Sequence, residues 1–305
     1  MSNLRISMVV PTYNGGALWE RAAESINKYF NGRVLVIDSG SKDETAAIAK
    51  KHEFELIEIS SNDFNHGGTR NLGLKHLSPT SDIVFFMTQD AILTDEQSIN
   101  NIVDMFVADE KLAAVYGKQL PHDDANVIAQ HARHFNYSNS SYVVSKDTGK
   151  ALGLKAVFMS NSFSAYRVST FNKLGGFAMN TILCEDMLYA ATALVHDYHV
   201  GYAANATAKH SHNYTCKNEF SRYFDIGVFH NGQSWIRKEF GGAGGEGKKF
   251  LISEFQYILK TRPAFLFSAL LNNAAKFVGY QLGKRYKLLP LSIIKKCSMH
   301  KKYWQ

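Results

Sequence analysis

A chain of 305 residues, 45% apolar and 20% charged, has room for a large core and reads as one sizeable domain or a domain with an appendage, not as a disordered chain. No stretch reaches the roughly 18 consecutive apolar residues that a bilayer span needs, and the opening MSNLRISMVV lacks the basic-then-apolar pattern of a secretion leader. The net charge of +7 sits at the end of the chain: ten of the 34 Lys and Arg follow Glu254 and no Asp or Glu does, which leaves the first 254 residues with 24 basic against 27 acidic groups.

Ile6–Val10 reads as a short apolar strand, and Pro11-Thr12-Tyr13-Asn14-Gly15-Gly16 as the turn after it. Leu18, Ala22, Ile26 and Tyr29–Phe30 recur at helical spacing. Val34–Ile37 is a second strand ending at Asp38, and Ser41 with the acids after it carries helix-start chemistry. The pattern then predicts a helix over 43–52, a strand over 54–59 and a helix over 67–77 that closes before Ser78-Pro79. Ile83–Met87 is an unbroken apolar run that stops at Thr88-Gln89-Asp90-Ala91, the mark of a strand buried on both faces. This alternation predicts an α/β fold with a mostly parallel central sheet and helices on both faces.

The second half is less regular. A helix is expected over 97–107 and a strand over 112–116, while 117–150 is polar and shows no clear period. A strand is expected over 157–167, a helix over 185–198 and a short strand over 200–202. GGAGGEG at 241–247 reads as a linker or mobile loop. From 250 to 289 the pattern is helical, broken at Pro263 and ended near Pro290.

Asp38 and Asp90 both end apolar strands, where open α/β sheets place their ligands. Asp90 can hold a hard divalent cation on a diphosphate, or it can cap the next helix. Asp38 can accept from a base N–H or a ribose hydroxyl, or it can serve its own turn. In His66-Gly67-Gly68-Thr69-Arg70-Asn71 the glycines let backbone approach a ligand and Arg70 suits a phosphate. Glu185 and Asp186 open a helix, where acids also favour the dipole. Cys184, Cys216 and Cys297 are odd in number and widely spaced, which fits a reducing cytoplasm and neither a disulfide framework nor a zinc site.

PTYN, VIDSGSKDET, DFNHGGTRNLG, TQDA and CEDM, in that order, resemble an inverting family 2 glycosyltransferase. DFNHGGTRN, TQDA, HSHNYT and SMHKKYW most resemble bacterial rhamnosyltransferases of polysaccharide (O-antigen or capsule) assembly. Where many family members carry Asp-X-Asp, this chain has Thr88-Gln89-Asp90, so a single carboxylate must serve. The resemblance implies a GT-A type nucleotide-diphospho-sugar transferase fold, with a catalytic domain over 1–240 and a basic, aromatic-rich helical extension over 248–305. It implies that Pro11, Thr12, Tyr13 and Asn14 border the nucleotide, that Asp38 binds base or ribose, and that Arg70, Asn71 and Gln89 lie near the donor. Asp90 would hold Mg²⁺ or Mn²⁺, with His210, or alternatively His212, as a further ligand. Asp186 would be the general base, with Glu185 beside it.

The implied donor is a nucleotide-diphosphate sugar, dTDP-L-rhamnose by resemblance alone, and the implied acceptor is a lipid-linked saccharide. A UDP-glucose or UDP-galactose donor, or a non-catalytic nucleotide-binding module that docks on membranes, are the alternatives. The basic tail, with its Phe, Leu and Tyr residues, suggests peripheral attachment to the anionic inner face of the cytoplasmic membrane. The same apolar groups can instead pack in a core or across a homo-oligomer. No nucleic-acid partner is expected, because no helix-turn-helix, zinc or RNA-recognition motif accompanies the charge.

Overall fold

The computed structural model describes residues 4–242 and 245–304. Its first half follows the alternation read from the sequence: β1 (Ile6–Thr12), α1 (Gly16–Tyr29), β2 (Arg33–Asp38), α2 (Thr45–Lys51), β3 (Glu55–Glu58), α3 (His66–Leu77) and β4 (Ile83–Met87). β1 pairs in parallel with both β2 and β4, and β2 with β3. All five residues of β4 are fully buried. Ile83, Phe85 and Met87 pack with Met8, Val10, Trp19 and Ile26 on one face of the sheet. Val84 and Phe86 join Val9, Leu35, Ile37 and Leu74 on the other. Each large apolar side chain so buried contributes about 1.5–3 kcal/mol.

Then follow β5 (Ile92–Leu93), α4 (Gln97–Ala108), β6 (Leu112–Leu120), α5 (Val127–Asn136), β7 (Tyr142–Val144), α6 (Lys146–Leu152), β8 (Phe163–Arg167), α7 (Val168–Lys173), α8 (Glu185–Val195) and β9 (His199–Lys209). The sheet order is β3-β2-β1-β4-β8-β6-β9-β5, with β7 also on β9. Past β4 the sheet is mixed: β8 runs antiparallel to β4 and β6, β9 parallel to β6, and β5 and β7 antiparallel to β9.

Several boundaries differ from the sequence expectation. The stretch 117–150 holds the end of β6, then α5, β7 and α6. The buried stripe of α5 contains His131 among Val127, Ile128 and Ala129, so its period is masked by a polar residue. The strand expected from 157 begins at Phe163, because 153–157 form a short 3₁₀ helix. β9 is eleven residues long rather than three: four of its buried positions are alanines, which carry little strand signal. The helix expected to reach 198 stops at Val195, and Asp197 adopts a left-handed φ of 61°.

The chain ends in α9 (Cys216–Gly232), α10 (Ser234–Phe240), α11 (Glu246–Thr261), α12 (Leu266–Gly283) and α13 (Leu291–Cys297). In the 241–247 stretch, residues 243–244 lie outside those described, and Glu246 already belongs to α11. α12 lies against α9 at backbone distance. A Cβ added at Gly283 would sit 2.0 Å from the Phe224 carbonyl oxygen, and one at Gly279 2.3 Å from that of Phe220. Gly283→Ala is therefore expected to cost about 1–3 kcal/mol by overpacking, read as a lower urea midpoint. Gly232→Ala, where an added Cβ meets nothing within 4 Å, should change stability by less than about 0.5 kcal/mol.

Candidate active site

The carboxyl ends of β1, β2 and β4 form one rim. Thr12 and Asp38 end neighbouring strands in register. The buried Asp38 carboxylate accepts from Thr12 Oγ1 at 3.1 Å, from the Ser41 hydroxyl, and from the Gly40 and Ser41 backbone N–H groups at 3.0 and 2.8 Å. These four bonds fill the acceptor positions of a carboxylate, so Asp38 ties its own turn to β1. Asn14 continues the tie: its N–H donates to Ser41 Oγ at 2.8 Å, and its Oδ1 accepts from Lys42 N–H at 2.9 Å. The Gln89 amide grips the Tyr13 backbone, accepting its N–H at 2.7 Å and donating to its carbonyl at 3.1 Å. Pro11 sits inside β1 opposite Ile37. The Tyr13 side chain, 50% exposed, faces a cleft of about 1240 Å³. Ser39, Asn62–His66 and Met179–Ile182 line the same cleft, and the Ser39 hydroxyl is buried there with no protein partner.

Beyond β4, Asp90 meets both histidines. Its Oδ2 lies 3.4 Å from His210 Nε2 and 3.7 Å from His212 Nε2. One ligand atom from each of the three falls within 4.8 Å of the others. The network assigns the His210 tautomer. Gln119 Oε1, which also accepts from Arg133, can only accept, so His210 Nδ1 carries the proton at 2.9 Å from it. Nε2 then turns a lone pair toward the Asp90 carboxylate, with the Ser162 hydroxyl 3.5 Å away. Burial lowers the proton affinity of both histidines, that of His212 to about 4, which leaves neutral imidazoles beside an anion. Lone pairs facing at this distance fit a divalent cation between them, and the Gln119 contact is the outer support such ligands use.

The third cluster opens α8. Glu185 is buried, with Oε1 3.2 Å from Arg70 Nη1 and accepting from Asn161 Nδ2 at 3.0 Å. Asp186 is half-buried: Oδ2 accepts the Asn161 backbone N–H at 3.0 Å and Oδ1 that of Met187 at 2.8 Å. Burial, and next the charge of Glu185, push Asp186 well above the usual carboxylate range. Glu185 stays low despite its burial because Arg70 and the hydrogen bond from Asn161 favour its charge. Asn71 spends its amide on the Phe177 backbone, donating to its carbonyl at 2.8 Å and accepting its N–H at 2.9 Å.

Two residues escaped the sequence reading. Asn161 positions both carboxylates, while its Oδ1 accepts from Ser164 and Tyr166 hydroxyls. Arg222, on α9, lies over the Tyr214 ring at 5.8 Å, and Tyr214 stacks on His212. A single Asn or Arg inside an unremarkable segment leaves no pattern to read.

The chain belongs to glycosyl transferase family 2, whose description matches residues 7–175. It is an enzyme of glycosyl transfer. It is 50% identical over 304 residues to the O-antigen chain rhamnosyltransferase RfbN of Salmonella typhimurium (99% of this chain, 96% of that one). It is 49% identical over 301 residues to the O-antigen chain rhamnosyltransferase WbaN of Salmonella anatum (98% and 95%). Two solved structures share its GT-A type fold. They are the mannosyltransferase PcManGT from Pyrobaculum calidifontis in complex with GDP-Man and Mn²⁺ (TM-score 0.58, 17% identity, 100% of this chain and 86% of that one) and S. aureus TarS 1–349 in complex with UDP (0.55, 15%, 93% and 92%).

Proposed function

We propose that the protein is an inverting rhamnosyltransferase that moves L-rhamnose from dTDP-L-rhamnose onto a hydroxyl of a lipid-linked saccharide in cell-surface polysaccharide synthesis. The likeness to the O-antigen enzymes along 99% of the chain supports the sugar. The half-buried Asp186, oriented by Asn161 and raised in proton affinity, carries the mechanism. The acceptor oxygen attacks the anomeric carbon from the face opposite the diphosphate. The carbon–oxygen bond to the diphosphate breaks with its electron pair going to the phosphate, and Asp186 takes the hydroxyl proton. Glu185, held as an anion by Arg70, keeps Asp186 basic enough for that transfer near neutral pH.

Asp90, His210 and His212 would hold Mg²⁺ or Mn²⁺, and the two nitrogen donors favour Mn²⁺ over the oxygen-seeking Mg²⁺. When bound, the cation supplies Lewis-acid neutralisation of the diphosphate charge.

Asp186→Asn is expected to cut turnover by roughly 10²–10⁴-fold while dTDP binding stays within a few-fold. Transfer should be measured against a panel of nucleotide sugars that includes UDP-glucose and UDP-galactose. In the wild type the acid limb of kcat/KM should fall above about pH 4, the ordinary carboxylate value, since a base of raised pKa is lost as pH drops through that higher value. Full turnover in the Asn variant would move the role to Glu185.

Asp90→Ala is expected to abolish saturable Mn²⁺ binding followed by electron paramagnetic resonance, and with it the activity. Unchanged wild-type activity in excess EDTA would remove the cation from the mechanism.

The C-terminal helices would attach the enzyme to the cytoplasmic face of the membrane. No helix among the described residues is long and apolar enough to cross one. α12 turns its glycines toward α9 and leaves Phe267, Leu270, Leu271, Phe277 and Val278 exposed, the first at 70%, while Phe265 and Leu266 pack near Ile258. Lys284, Arg285 and Lys287 are exposed just beyond, and each basic residue near an anionic surface adds about 1 kcal/mol. Full-length protein should float with anionic liposomes, weaken with salt, and lose flotation in Phe267→Ser/Phe277→Ser. A protein that ignores the liposomes and sediments as a dimer would assign the face to a second copy.

A further inference from the structure

The strap from Ser298 to Trp304 has no assigned role, and it walls the cleft beside Tyr13 and Ser39. Lys295 and Met299–Trp304 face Tyr13, Ser39 and the 61–66 loop across the cavity. The strap is anchored on several elements. Asp225, fully buried on α9, accepts the backbone N–H groups of Met299 and His300 at 2.9 and 3.1 Å. Lys302 Nζ donates to the Ser61 carbonyl at 2.8 Å, and the Tyr303 hydroxyl to that of Asn180 at 3.3 Å. His300 Nδ1 lies 3.4 Å from His66 Nε2. A tail meant only for a headgroup layer has no use for a buried carboxylate or for latches on both cleft walls.

Charge is unbalanced in this cleft. Three lysines, Lys295, Lys301 and Lys302, line it against one carboxylate, Asp63. Among the described residues Lys295 and Lys301 have no acidic partner, and Lys302 bonds only to neutral oxygens of Ser61. A polyanion seated between these walls would meet several uncompensated cations at once.

We propose that the strap is part of the donor site and that Lys301 and Lys302 bind the nucleoside diphosphate. The inference rests on the nucleotide-sugar donor described above and adds the residues that hold it. Lys302 would exchange a neutral carbonyl for a phosphate oxygen, a stronger charge-assisted bond. Those lysines are then drawn away from the membrane-facing set.

The test is calorimetric titration of the full chain carrying Lys301→Gln/Lys302→Gln, with dTDP and with thymidine. Affinity for dTDP should fall about tenfold, as two partly screened phosphate contacts are lost, and thymidine binding should not change. The donor KM should rise by a similar factor with kcat within about threefold, and liposome flotation should be unaffected. Lys296→Gln, outside the cleft, should behave as wild type. A double variant that binds dTDP within twofold of wild type would overturn the proposal. Wild-type preference for UDP over dTDP would overturn the donor assignment instead, and the same comparison repeated with UDP would still decide the strap.

Discussion

The buried ion pair of Arg70 with Glu185 joins the two halves of the site. Arg70 belongs to α3, whose first turn borders the cleft, and Glu185 to α8, which carries Asp186. Burying two charges is costly, and the cost is recovered only when the remaining hydrogen-bonding capacity is met. Arg70 meets part of it on the His66 carbonyl, and Glu185 on the Asn161 amide. Once Glu185 is held as an anion, the next residue cannot ionise as readily. A structural contact thereby becomes a determinant of proton affinity.

α9 is the second organising element. Near its start Arg222 rests on Tyr214 and so on His212, while one turn later Asp225 fastens the strap. Along the same helix, glycines bring α12 to backbone distance. The Asp90–His210–His212 cluster, the cleft wall and the exposed apolar face of α12 are thus tied to a single helix. The uneven charge of the chain divides accordingly: some C-terminal lysines face the cleft, while Lys284, Arg285 and Lys287 face solvent.

At the rim of the cleft, polar side chains hold the loops in place. Asp38, Asn14 and Gln89 spend their side chains on neighbouring backbone or hydroxyls. Their effect is to hold three strand ends in one geometry, which leaves Tyr13 and Ser39 lining the cleft. Such preorganisation lowers the ordering cost of binding.

The amino-acid sequence by itself determined the first four strands and three helices, since runs buried on both faces, such as Ile83–Met87, are continuous along the chain and need no partner to be recognised. It also placed Asp38, Asp90 and Asp186 at element ends, where local chemistry marks them. It was silent on α5, whose stripe includes a histidine, and on most of β9, whose alanines pack well without a strand signature. Only the tertiary structure decided that His210 and His212 both meet Asp90, that Asn161 orients two carboxylates, and that the strap lines the cleft. Each of these joins residues far apart in the chain, and such contacts depend on strand order and helix packing, which no local pattern records.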